Sequence, residues 1–267
     1  LRFITFAMVA GGGAGRVHGA NSGGSPGDWY NTLPPITRLY GTICVCTTIG
    51  AQFGLVDLRY IFLSWDLIVR KFQVWRLITP FFFIGKLGLP FMFRLYFLIV
   101  YGCQLEKGTY EHRTADYAWM YMCSCAFMLV FSLQPFIPLY FFGSPFVFSL
   151  LYLWSRFYPD QQVSIYGVVP LKAFWLPWAF MVITTLMGGN PMEELLGILT
   201  GHFYYFMTDL YPRAGGTDWL RTPKFVGEFL AWAKLSGVAV DRASQDRLRQ
   251  RQQQWGTFRG TARRLND

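Results

Sequence analysis

Between Thr114 and Tyr211 only seven of 98 residues carry a charge: Asp116, Arg156, Asp160, Lys172, Glu193, Glu194 and Asp209. Tyr117 to Ser155 has none at all. A soluble domain must interleave buried with solvated positions, so an uncharged run of this length excludes one. A bilayer core takes about 20 apolar residues per helix, and this run therefore holds about two spans. The break between them is Gln134-Pro135-Phe136-Ile137-Pro138, where two prolines stop a helix. The chain reads as an all-α, multi-pass membrane protein.

The same criteria place six spans at about 36–56, 88–105, 115–133, 139–157, 172–187 and 193–210. The first contains Gly50 and Gly54, a small-xxx-small pair suited to close helix contact. The last has only 14 uncharged residues, Leu195 to Thr208, about 21 Å of helix against about 30 Å of hydrocarbon. Such a helix must be sheltered in the bundle, or the bilayer must thin to meet it. Residues 57–86 differ: Asp57, Arg59, Asp66, Arg70, Lys71, Arg76 and Lys86 interrupt the apolar groups, which suits amphipathic segments lying in the interface.

Charge is distributed unevenly. Residues 212–267 hold 11 Lys/Arg against 5 Asp/Glu, much of the net charge of +9. No nucleic-acid recognition motif accompanies that excess, so it marks a cytosolic tail beside a membrane. Six spans put both termini on that side, and the basic connections at 106–116 and 155–172 agree. Residues 1–27, rich in glycine after Gly11, read as a disordered extension, 28–211 as the membrane domain and 212–267 as the tail. Five cysteines in apolar surroundings imply no disulfide framework.

Reactive chemistry finds little footing. His202 is the histidine inside a span and hence the intramembrane polar candidate, with a hydrogen bond to a neighbouring helix as the competing reading. Ser144 lies in Gly143-Ser144-Pro145, where proline supplies no backbone donor for an oxyanion. No mid-span aspartate pair, HExxH or phosphate-binding loop is present, and no cofactor or metal is expected. Two rival readings stay open: an intramembrane serine protease using Ser144 with His202, and a small transporter or channel with a midplane site.

Several stretches carry a resemblance. They are Asp28-Trp29-Tyr30-Asn31, Gln73-Val74-Trp75-Arg76-Leu77, Arg113-Thr114-Ala115-Asp116-Tyr117, Leu153-Trp154-Ser155-Arg156, Phe174-Trp175-Leu176-Pro177-Trp178 and Gly197-Ile198-Leu199-Thr200-Gly201-His202. Over residues 28–226 the chain resembles the rhomboid superfamily, and within it the inactive branch, the derlins. The resemblance implies a rhomboid-like six-helix bundle with an interfacial first loop. Active rhomboids carry Gly-x-Ser-Gly at the start of the fourth span, where this chain has Phe142-Gly143-Ser144-Pro145. They place the catalytic histidine shortly before the last Gly-xxx-Gly, where this chain has Glu193-Glu194-Leu195. The resemblance thus implies a pseudoprotease.

It further implies a role in endoplasmic-reticulum-associated degradation, in the endoplasmic reticulum membrane. There it would recognise misfolded clients and help return them to the cytosol beside a membrane-embedded ubiquitin ligase, singly or as a homo- or hetero-oligomer. Trp75-Arg76 matches the family's first-loop motif, expected to pin the loop and draw headgroups inward, and Gly197 and Gly201 match its helix-packing pair. Phe258, Gly260 and Leu265 resemble the Phe-x-Gly-x-Gly-x-x-Leu box that holds the valosin-containing AAA ATPase, with Ala262 where the pattern has glycine. Between these lies Phe225-Val226-Gly227-Glu228-Phe229-Leu230-Ala231-Trp232, whose aromatics at i, i+4 and i+7 form one helical face suited to a membrane surface.

Overall fold

The computed structural model describes residues 26–134, 139–165, 169–217 and 219–233. Helices α1 (Pro26–Thr32) and α2 (Pro35–Gln52) are followed by α3 (Leu58–Ile61) and α4 (Trp65–Lys71). Two 3-10 turns, Val74–Leu77 and Thr79–Phe81, lead to α5 (Leu89–Gln104), which widens into a π turn at Leu105–Thr109. Helices α6 (Thr114–Phe131) and α7 (Gly143–Phe157) follow. Strands β1 (Gln162–Ile165) and β2 (Val169–Lys172) pair antiparallel, Gln162 opposite Lys172. Helices α8 (Leu176–Leu186) and α9 (Pro191–Tyr205), a π turn at Phe206–Leu210, α10 (Tyr211–Arg213) and α11 (Lys224–Trp232) complete the described chain.

Proline sets several helix starts. Pro35, Pro90, Pro177 and Pro191 occupy the first or second position of α2, α5, α8 and α9, where the missing N–H would have no intrahelical partner anyway. Asn190 adds a side-chain cap to α9, accepting the Met192 N–H at 3.1 Å.

Helix α7 is the centre. Every residue from Gly143 to Ser155 is buried, and α5, α6, α8 and α9 all pack on it. A helix enclosed on all faces can satisfy its polar side chains only from within the protein, and most of them here do so. Ser149 and Ser155 donate to the Phe146 and Tyr152 carbonyls, each at 2.7 Å, and Trp154 donates its indole N–H to Gln104 Oε1 at 2.7 Å. Trp154 also packs against Tyr101 of α5 with ring centroids 4.2 Å apart.

The helices fall near the expected spans but are shorter. Among the described residues none is long and apolar enough to cross a membrane. The longest, α2 and α6, have 18 residues and α8 only 11, about 27 Å and 17 Å of rise. Where a fourth span was expected from 139, the helix starts at Gly143, because the Phe142 N–H is engaged by the Pro80 carbonyl at 3.0 Å. The expected fifth span at 172 begins at Leu176, since residues up to Lys172 belong to the hairpin. Residues 26–32 form a helix where the extension was expected to run to 27.

Candidate functional site

The segment between α2 and α5 is where the sequence placed an interfacial loop, and its fixed point is Arg76. That side chain is only 3% exposed. Its Nε donates to Gln73 Oε1 at 2.6 Å, and Nη1 donates to the Arg59 and Phe62 carbonyls, both at 2.9 Å. The guanidinium also lies 4.8 Å from the Phe62 ring centroid. Only a planar fork with several donors reaches this set. Arg76 therefore ties the 3-10 turn to α3, and its charge faces the loop's own carbonyls, not headgroups.

Trp75 faces the other way. Its ring is exposed, although its N–H donates to the Tyr60 carbonyl at 3.3 Å. Around it Tyr60, Val69, Phe72, Val74 and Ile78 are exposed as well, beside the exposed Arg59, Arg70 and Lys71. The segment thus shows an outward apolar face while its polar anchor is turned in. Two more ties hold it to the bundle: Leu63 N–H to the Tyr140 carbonyl at 2.9 Å, and Tyr40 Oη to the Phe81 carbonyl at 2.6 Å.

The second element is the seam between α7 and α9. A Cβ at Gly197 would collide with the Pro145 carbonyl oxygen and stand 2.6 Å from Phe148 Cβ. One at Gly201 would stand 2.9 Å from the Ser149 oxygen. The two glycines let the helix backbones touch, as a Gly-xxx-Gly surface does. Gly143 does the same for α7 against the Phe83 carbonyl.

The structure keeps Ser144 and His202 apart. His202 Nδ1 is hydrogen-bonded to Tyr152 Oη at 2.8 Å, and Tyr152 is eight residues beyond Ser144, about 12 Å along α7. Ser144 lies instead at the end of the seam marked by Glu194, one turn before Gly197. Both are buried, and among the described residues neither the Ser144 hydroxyl nor the Glu194 carboxylate meets a donor or acceptor. Thr184 is beside Glu194, but its hydroxyl is committed to the Phe180 carbonyl at 2.7 Å. The catalytic arrangement of a nucleophile held by a base is not formed.

Glu106 opens the connection 106–116, yet its side chain is buried. Its carboxylate accepts the Ile36 N–H at 3.1 Å, the Thr37 N–H at 2.9 Å and the Thr37 hydroxyl at 2.7 Å. Pro34 and Pro35 start α2 with no side-chain cap of their own, and Glu106 supplies one from the end of α5. Burial pushes its carboxyl above the usual glutamate range, while the Thr37 and Ile36 donors pull it back. No local signal links residues so distant in sequence.

Gly50 and Gly54 are corrected by the structure. Helix α2 ends at Gln52, Gly54 adopts φ +72° in the turn beyond it, and nothing lies within 4 Å of a Cβ there. A Cβ at Gly50 would meet Val56 of the returning chain at 2.9 Å. The pair ends a helix and joins no second one. Phe258, Gly260 and Leu265 lie outside the described residues.

Comparison with known proteins places this geometry in a family. Residues 33–224 match the model of the Der1-like family. The chain is 49% identical over 219 residues to Derlin-1 of Arabidopsis thaliana, covering 82% of each chain. It is 41% identical over 242 residues to Derlin-1 of Oryza sativa subsp. japonica, covering 91% of this chain and 99% of the relative. Derlin-1.1 of Zea mays is 39% identical over the same length, with the same coverage. The chain belongs to the Der1-like family, the derlins, a family of the endoplasmic reticulum membrane tied to the degradation of misfolded proteins.

Proposed function

We propose that this chain is a non-catalytic factor of endoplasmic-reticulum-associated degradation, which recognises misfolded proteins and assists their passage to the cytosol. The observation that carries the reading is the separation of Ser144 from the His202–Tyr152 pair in a chain of derlin family. A hydrolase needs its base within hydrogen-bond reach of its nucleophile. What remains is a membrane scaffold, residues 28–211, with six spans, cytosolic termini and the basic tail 212–267.

Its work is on lipid. Helices of 11 to 18 residues cover less than the usual hydrocarbon depth, and a bilayer thins to match short spans. The outward apolar face beside Trp75, held by the buried Arg76, adds an interfacial wedge. A polar client segment crosses a thinner layer at lower cost. Energy for extraction comes from the AAA ATPase, recruited by the tail residues Phe258, Gly260 and Leu265, next to a membrane-embedded ubiquitin ligase.

The test is client turnover in cells whose own derlins have been deleted. Expression of this chain shortens the half-life of a misfolded secretory client, and Phe258→Ala with Leu265→Ala removes that gain along with capture of the ATPase. A half-life unchanged by expression overturns the reading. Fluorophosphonate labelling of Ser144 in purified protein would instead restore the protease.

A further inference from the structure

The short helix α11 lies outside the bundle and has two unlike faces. Val226 and Leu230 are buried, packed against α6. Phe225, Phe229 and Trp232 are 57%, 60% and 79% exposed, and the Phe229 and Trp232 rings are 5.9 Å apart. Offsets of four and seven residues place these three rings within about 60° on one side of the helix. Trp219, just upstream, is exposed too, and Arg221 and Lys224 are exposed beside it.

Contacts with α6 show which way the aromatic side points. Gly227, on the opposite side of α11 from Phe225, meets Ala115, where α6 begins after the polar Glu111-His112-Arg113. Phe225 stands edge-on to Trp119, one turn further along α6, with centroids 6.3 Å apart. The Trp119 indole N–H donates to the Leu220 carbonyl at 2.9 Å, which fixes the approach to α11 at the same level. The aromatic side therefore points along α6, from its polar start toward its apolar body, while Lys224 lies on the side away from α6.

We propose that α11 is an interfacial anchor, seated in the headgroup layer with Phe225, Phe229 and Trp232 inserted among the upper acyl carbons. Arg221 and Lys224 lie at headgroup level and favour anionic lipid. The composition matches the occupant: aromatic rings and basic residues gather at a bilayer surface, whereas a protein partner gives no reason for the rings to point down α6. Charge favours lipid as well: Arg221 and Lys224 stand exposed at the start of the helix against the single acidic residue within it, Glu228, while Arg213 is already paired with Asp209 at 2.8 Å. The consequence is that the basic tail starts from a point fixed at the membrane surface. The inference rests on α6 being membrane-embedded, the reading proposed above.

The experiment uses the full chain in nanodiscs of phosphatidylcholine with about 30% phosphatidylserine. An environment-sensitive fluorescent amino acid replaces Phe229 in one sample and Val130, an exposed position of α6, in another. Lipids carrying a nitroxide high or low on the acyl chain then report depth. The expected result is at least about twofold quenching at 229 by the shallow nitroxide, weaker quenching by the deep one, and less when phosphatidylserine is omitted. Phe225→Ser with Trp232→Ser abolishes quenching at 229 and leaves it at 130. If 130 is quenched and 229 is not, the anchor is overturned and the aromatic face belongs to a protein partner. If neither is quenched, the embedded reading of α6 fails, and the anchor with it.

Discussion

The carboxylate of Glu106 accepts both the backbone N–H of Thr37, at 2.9 Å, and its hydroxyl, at 2.7 Å. A residue at the end of α5 thereby closes the first turn of α2, and Thr37 Cγ2 would stand 3.1 Å from a Cβ at Gly102 on the same helix. The junction of α2 and α5 is thus both capped and closely packed.

Glu106→Gln keeps the shape and loses the second carboxylate oxygen, at an expected cost of about 1–2 kcal/mol. Burial raises the folded carboxyl above its ordinary value of 4.5, so the folded state holds the proton more tightly than the unfolded chain. That contribution is complete below 4.5 and is lost as pH rises through the folded value. Thermal unfolding in detergent is expected to show the gap between wild type and Glu106→Gln narrowing from pH 4 to pH 8. A gap that widens would mean that the three donors outweigh burial.

At the α7–α9 seam the two glycines are unequal. Gly197→Ala must displace the Pro145 backbone and is expected to cost about 2–3 kcal/mol or more, whereas Gly201→Ala meets its neighbours at 2.9–3.1 Å and costs about 1 kcal/mol. Melting temperatures of the two variants check the order. Equal losses would show that α9 can shift away from Pro145 freely.

Arg76→Ala strands the Arg59 and Phe62 carbonyls and is expected to cost about 2–3 kcal/mol, with faster chymotryptic cleavage between 57 and 84. Arg76→Lys recovers less than half, lacking the fork. Trp75→Ala changes stability by under about 1 kcal/mol, because its ring is exposed, yet slows client degradation. A Trp75 variant with normal turnover would separate the loop from function.

Ser144→Ala removes a buried hydroxyl that has no partner among the described residues. The expected result is a gain of about 0.5–1 kcal/mol with client turnover unchanged. Loss of turnover would return Ser144 to a chemical role.

What the sequence made legible was whatever follows from local pattern. The uncharged run 117–155 became α6 and α7, the prolines became helix starts, and Gly197 and Gly201 became a backbone contact. What it hid depended on a distant partner. Apolar spacing could not tell that Arg76 would turn toward Arg59 and Phe62, because a basic residue among aromatics looks the same whether it faces lipid or a carbonyl. Glu106 was equally opaque, its ligands being some 70 residues away. Gly50 and Gly54 misled for the opposite reason: their spacing suits a helix contact, but a positive φ at Gly54 had already ended the helix.

Because α7 is walled in from Gly143 to Ser155, it behaves as a fixed axle. It has no free side along which to slide, and its neighbours brace it while α9 also packs on α6 and α8. On the function proposed above, an opening for a polypeptide would come from outer helices swinging about that axle, among them the eleven-residue α8, which packs on both α7 and α9. A crosslink from α8 to α7 should arrest such movement, whereas one from α9 to α7 should merely preserve a contact already closed.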